Sequence, residues 1–136
     1  MHILIIDGQG GKIGKLLIEG VREKLPKAEI TAIGTNSLAT SNMLKANPDY
    51  AATGVNSVVV ASQTADIIAG PIGIVIADSL IGEVTPEMAV AVGRSRAKKV
   101  LIPLNKCENV VAGLKPLSMH ELVADAISQI VNCQTC

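Results

Sequence analysis

Phenylalanine and tryptophan are absent from this chain, and Tyr50 is its only aromatic residue. That shortage excludes the base-stacking platform on which single-strand nucleic-acid binders rely. Charge of one sign is lacking too: 12 Lys and Arg balance 12 Asp and Glu. With a formal net charge of zero, no broad attraction to nucleic acid or anionic lipid is expected. No apolar run approaches the ~18 residues of a membrane span. The opening MHILIIDG has no basic leader and too short an apolar stretch for a signal peptide, so a cytoplasmic location is expected. Cys107, Cys133 and Cys136 are too few for a disulfide scaffold and are expected to be thiols.

What remains is aliphatic. Hydrophobic residues make up 49% of the 136 and charged residues 18%, which suits a core of Ile, Val, Leu and Ala. That length supports one domain, residues 1–136, without disulfide or metal. Short β-branched runs alternate with helical patterns. Strands are predicted near Ile3–Asp7, Glu29–Ile33, Ser57–Ala61, Ile72–Ala77 and Lys99–Leu104. Helices are predicted near Lys12–Leu25, Leu38–Ala46, Gln63–Ala69, Pro86–Ala97 and Ser118–Val131. The segment Gln63–Ala69 is under two turns and reads alternatively as extended chain. Thr85-Pro86-Glu87 reads as an N-cap, a first-turn proline and an acid. Ser118 with Glu121 reads as a capping box.

The strands are apolar on both sides, the mark of parallel strands covered on both faces. The predicted fold class is therefore α/β: a doubly wound, Rossmann- or flavodoxin-like sheet of about five parallel strands with helices on both faces. In such a sheet ligands bind beyond the carboxyl ends of the strands, where the strand order reverses.

The stretch ILIIDGQGGKIGKLL places Gly8, Gly10, Gly11 and Gly14 at the first such end. Amides there and in the first helical turn favour an anion. The Gly8-x-x-Gly11-x-x-Gly14 spacing is not the strict GxGxxG pattern. It resembles the turn of some nicotinamide-dependent reductases and nucleotide-sugar enzymes. In that reading Gly8 and Gly10 allow the turn, Gly11 admits a phosphate, and Gly14 lets the helix pack against the strand. The competing reading is a tight turn with no ligand. Four glycines in seven residues exceed what a turn alone needs, since each costs conformational entropy.

An NAD site would carry an acid at the end of the second strand, about 20 residues on. Here Ile33-Gly34-Thr35-Asn36-Ser37 has none, nor the arginine typical for NADP. Thr35, Asn36 and Ser37 offer neutral donors to a 2′-phosphate or to another phosphate, so NADP or another nucleotide stays open as cofactor. The other strand ends bring Asp78, Ser79, Glu83, Asn105, Lys106 and Cys107 to the same edge. Asp78 is a candidate base or magnesium ligand, with a turn cap as the competing role. Asn105 is a candidate for orienting a reacting group. Cys133-Gln134-Thr135-Cys136 supplies two thiols where a structural zinc site needs four ligands, and no metal site is expected.

The segments IDGQGGKIG, GTNSLATSNMLKA, ATGVNSVVV, GPIGIVIADSLIGEVTPEMA and SRAKKVLIPLNKC resemble the bacterial family known as domain of unknown function 3842. The resemblance runs over roughly Met1 to Gly113 and leaves the C-terminal CxxC outside it. It implies a bacterial, cytosolic, Rossmann-like protein and carries over no activity. From ITAIGTNSLATSNMLKA to KVLIPLN the order of elements is also similar to methylglyoxal synthase-like domains. That likeness implies a phosphate-holding loop at Gly34-Thr35-Asn36-Ser37 and a matching Pro103-Leu104-Asn105. The combined expectation is a protein that binds a small phosphorylated ligand or nucleotide, acting as a homodimer or larger homo-oligomer. The alternative is a non-enzymatic assembly or regulatory module whose glycine turn is architectural.

Overall fold

A computed structural model describes residues 1–104 and 109–133. In chain order its strands are β1 (His2–Asp7), β2 (Glu29–Gly34), β3 (Tyr50–Thr53), β4 (Ile67–Pro71) and β5 (Lys98–Ile102). Its helices are α1 (Lys12–Lys24), α2 (Ser37–Leu44), α3 (Val55–Ser62), α4 (Pro86–Arg94) and α5 (Met119–Asn132). All strand pairs are parallel, in the order β3-β2-β1-β4-β5. This is the doubly wound order in which the chain reverses direction between β1 and β4.

Strand β1 shows why both faces are covered. Its alternate residues enter two cores: Ile3 and Ile5 join Leu17, Ile18, Met43 and Ile130 under α1, α2 and α5. Leu4 and Ile6 join Val58, Met88 and Val92 under α3 and α4. The period-two alternation of strand side chains makes each layer possible without a polar face. Helix starts follow local chemistry where the sequence offered it. Met88 N–H donates to the Thr85 hydroxyl at 3.1 Å, with Pro86 in the first turn. The Ser118–Glu121 capping box is formed, each bond 3.2 Å.

Between residues 50 and 77 the predicted elements are displaced. The Val58-Val59-Val60 run, predicted as a strand, lies in α3. The segment 63–69, read as a helix or alternatively as extended chain, is no helix: its residues 67–69 open β4, and the predicted strand Ile72–Ala77 begins as a 3-10 turn over Ile72–Val75. The edge strand β3 was not predicted at all. Gly70 fixes which part of the apolar run IIAGPIGIVIA becomes the strand. A Cβ there would lie 2.2 Å from the Ile6 carbonyl oxygen, so only glycine lets β4 lie beside the end of β1. Among the described residues, no helix is long and apolar enough to cross a membrane.

Candidate functional site

The reversal between β1 and β4 opens a crevice of about 210 Å³ at the carboxyl rim of the sheet. The glycine turn, Gly8 to Gly11 with Lys12 and Ile13, forms one wall. Pro71, Gly73 and Leu80 form another, and Leu104 and Met119 close the far side. β4 ends at Pro71 and so delivers the Pro71-Ile72-Gly73 turn to the crevice. A larger groove of about 450 Å³ runs between α3 and α4, past Ser62 and Arg96. It opens where these helices end, before β4 and β5 begin, and therefore away from the strand-order crevice.

The four glycines of the turn have different structural reasons. Gly14 lies where a Cβ would be 2.9 Å from Asp7 Cβ and 2.4 Å from Met43 Sδ, so it brings α1 close to β1 and α2. Gly11 is the N-cap of α1 in the left-handed region, φ 72°, and a Cβ there would stand 2.5 Å from the Ala39 carbonyl oxygen. Its role is thus architectural, whereas the sequence had assigned it to phosphate approach. Gly8 lets Thr35 Oγ1 and Leu80 Cδ1 approach to 2.6 and 2.7 Å of its would-be Cβ. Gly10 differs: it lines the crevice, its φ is not left-handed, and a Cβ there meets nothing within 4 Å. Besides Gly11, the turn has its left-handed residue at Gln9, φ 48°. Gly10 is the one glycine of the four whose identity neither packing nor backbone conformation requires.

Two carboxylates take several amides that the sequence had left for a ligand. Asp7, only 4% exposed, accepts from Gly8 N–H at 2.8 Å and Gly14 N–H at 2.7 Å. Burial pushes its carboxyl up to about 6, against the N–H donors of Gly14, Gly8 and Ile13, and the nearby Glu83 charge adds to the rise. Glu83 accepts from Gln9 N–H at 3.1 and 3.3 Å, from the Thr35 hydroxyl at 2.9 Å and from the Asn36 carboxamide. Burial raises the Glu83 carboxyl, but these donors together outweigh it and hold it below the usual range. Among the described residues, Gly10 N–H and Lys12 N–H have no hydrogen-bond acceptor.

Thr35 and Asn36 therefore sit beside the glycine turn, as expected, but they face a protein carboxylate. Asn36 also caps α2, accepting from Ala39 N–H at 2.8 Å, and donates to the Gln9 carbonyl at 3.0 Å. Ser37 is exposed at the start of α2 and does not line the crevice. Asp78 is not at a strand terminus. It lies on an exposed loop with φ 64°, seven residues beyond the end of β4, and does not line the crevice. The displaced fourth strand is the reason. Ser79, at the same loop, is buried and donates to the Gly73 carbonyl. Asn105, Lys106, Cys107 and Cys136 lie outside the described residues. Cys133 caps α5 and packs partly buried against the core. Among the described residues, no cluster of three or more His, Cys, Asp or Glu is placed to hold a metal ion. From the sequence Glu83 was placed at this edge without a role, and Asp7 only as the end of the first strand. An acid as the last residue of β1, directly before the glycines, was the available signal for Asp7.

Residues 2–135 match the family described as domain of unknown function DUF3842. The chain belongs to that family. The match passes Gly113, where the resemblance read from the sequence stopped, and takes in Cys133. No curated protein matches the chain. Among solved structures, a dodecameric FMN-dependent UbiX-like decarboxylase from Escherichia coli O157:H7 is similar at 19% identity and a TM-score of 0.48. The alignment covers 95% of this chain and 76% of that one. At that identity and score the likeness is no guide to this chain's activity.

Proposed function

We propose that this DUF3842 protein binds a small phosphorylated metabolite or nucleotide, with a phosphoryl group seated against Gly10 in the crevice between β1 and β4. The observation that carries the reading is Gly10 itself, whose bare Cα faces open space at the strand-order reversal. Close approach of a ligand to the backbone is the remaining use for a glycine there. The unpaired amides of Gly10 and Lys12, at the start of α1, supply donors to the phosphoryl oxygens. Lys12 lines the same crevice and supplies a positive charge. A volume of about 210 Å³ lies below the ~300 Å³ at which drug-sized pockets begin. It therefore takes a phosphoryl group and its near neighbours, while the rest of a nucleotide extends over the rim.

A thermal-shift series with inorganic phosphate, sugar phosphates, ATP, FMN, NAD and NADPH tests the reading. A ligand at 100 times its dissociation constant adds about 2.7 kcal/mol. For 136 residues that corresponds to a rise of about 9 °C at an unfolding entropy near 2.1 cal/mol/K per residue. A flat response to every compound overturns the proposal.

The second reading is a homo-oligomeric assembly module whose turn is closed by its own residues. Asp7 and Glu83 on the turn amides support it. So do the exposed Leu38 and Leu44 of α2 and Tyr50 on the edge strand β3, apolar surface that a second copy would cover. Light scattering on the purified chain separates monomer from assembly.

A further inference from the structure

Three donors from separate places in the fold converge on one side chain. Gln9 N–H comes from the glycine turn after β1, and the Thr35 hydroxyl and Asn36 carboxamide come from the loop after β2. All three donate to the carboxylate of Glu83. Among the described residues, no lysine, arginine or histidine pairs with that carboxylate. A set of neutral donors closed around one anion, with no cation present, is the chemistry of an anion-binding nest. Here the anion belongs to the protein.

The segment that carries Glu83 reaches over the turn with little packing at its tip. Asp78, Leu80 and Ile81 adopt φ of 64°, 56° and 57°, followed by Gly82 at 82°. A left-handed backbone at a β-branched residue is an outlier, and Ile81 is 96% exposed, so no burial of its side chain accounts for it. The feet of the loop are fixed. Asp78 N–H donates to the Val84 carbonyl at 2.7 Å, and Val84 N–H to the Ser79 carbonyl at 3.2 Å. The tip between them is tied to the rest of the fold by Glu83 and by Leu80, which lies over Gly8 and packs partly buried against the core under α3 and α4.

We infer that the Gln9–Thr35–Asn36 donor set is a phosphate subsite and that Glu83 is its built-in occupant, an autoinhibitory clasp that a second phosphate of the ligand displaces. The inference rests on the crevice reading, because Gln9 lines the crevice and places this subsite at its margin. Three acceptor oxygens of a phosphate monoester match three donors, where the carboxylate offers two oxygens. Phosphate and carboxylate repel each other at this range, so entry of the ligand expels Glu83 and releases the tip at residues 80–83. The favoured ligand class is a metabolite with two separate phosphate groups, one for Gly10 in the crevice and one for this subsite.

Matched probes separate the two readings: adenosine 2′,5′-bisphosphate against 5′-AMP, and fructose 1,6-bisphosphate against fructose 6-phosphate. Glu83→Ala and Glu83→Gln should tighten binding of a bisphosphate about tenfold, and that of its monophosphate partner by clearly less. In the wild-type protein the bound bisphosphate should speed amide exchange across residues 80–83 and slow it at Gln9. Monophosphate binding with no gain for the bisphosphate in either variant overturns the clasp and leaves the crevice reading standing. Failure of all four probes in the wild-type chain and in both variants overturns the clasp, and the crevice reading falls as well when the thermal-shift series is also flat.

Discussion

Gly10 and Gly11 are adjacent and chemically identical, yet the structure assigns them opposite consequences when a methyl group is added. In Gly11→Ala the new Cβ must sit in the left-handed region, which costs roughly 1–2 kcal/mol. It also arrives 2.5 Å from the Ala39 carbonyl oxygen and 2.8 Å from Ala39 Cα. Both are backbone atoms of α2, so the helix must shift, and overpacking of this kind costs roughly 1–3 kcal/mol. A total near 3 kcal/mol lowers the Tm by about 10 °C for a chain of 136 residues. Gly10→Ala meets no atom within 4 Å and needs no unusual φ. Its main effect on folding is to restrict the unfolded chain, worth about 0.4–1 kcal/mol in favour of the native state, a rise of about 1–3 °C. On the proposed reading the same methyl group takes the place of the phosphoryl group beside residue 10, which lines the crevice, and should abolish the ligand-induced thermal shift. Differential scanning fluorimetry of both variants, with and without the phosphate series, reads out all of this. A Gly10→Ala protein as unstable as Gly11→Ala, or one that responds to ligand like the wild type, would refute the assignment.

Asp7→Asn should cost about 1–3 kcal/mol, because one of the two amides now bonded to carboxylate oxygens would face an NH2 donor instead. The Asp7 carboxyl, pushed up to about 6 in the fold, contributes most to stability below its unfolded value near 4 and loses that contribution as pH rises through 6. The destabilisation by Asp7→Asn should therefore be greater near pH 4 than near pH 8, by about 2 kcal/mol; a difference that does not change with pH would contradict the buried-acid assignment. Glu83 works with the opposite sign. Its contribution is present above the ordinary glutamate range and is lost as pH falls through its lowered folded value, so the Tm gap between Glu83→Gln and wild type should close in acid. Ile5→Ala, at the centre of β1 and fully buried, should lower stability by about 2–5 kcal/mol in a denaturant titration. An unchanged midpoint would mean that β1 is not at the centre of the sheet.

Much of the fold is legible locally because local chemistry decides it. β1 and β2 are apolar runs bounded by glycine, and α1, α4 and α5 carry apolar stripes with caps at Thr85 and Ser118. The middle of the chain reads wrongly for a physical reason. Three consecutive valines favour a strand by propensity, yet in α3 Val58 and Ser62 face inward at helical spacing. There, packing against α4 and the sheet outweighs a weak intrinsic preference. β3 has no apolar signature, since three of its four residues are exposed on an edge strand.

The candidate site divides along the same line. That glycines crowd the first strand–helix turn, with neutral donors at the end of the second strand, follows from residue order alone. Which glycine bears a steric load, and which merely faces open space, depends on where α2 and its Ala39 carbonyl come to rest. Glu83 is 74 residues from Gln9 and 47 from Asn36, and no spacing rule links them. The sequence determined a parallel sheet with a glycine-lined rim, because alternation and turn chemistry act over a few residues. Only the tertiary structure decided that Asp7 and Glu83 fill part of that rim, because burial and hydrogen bonding join residues that the chain keeps far apart.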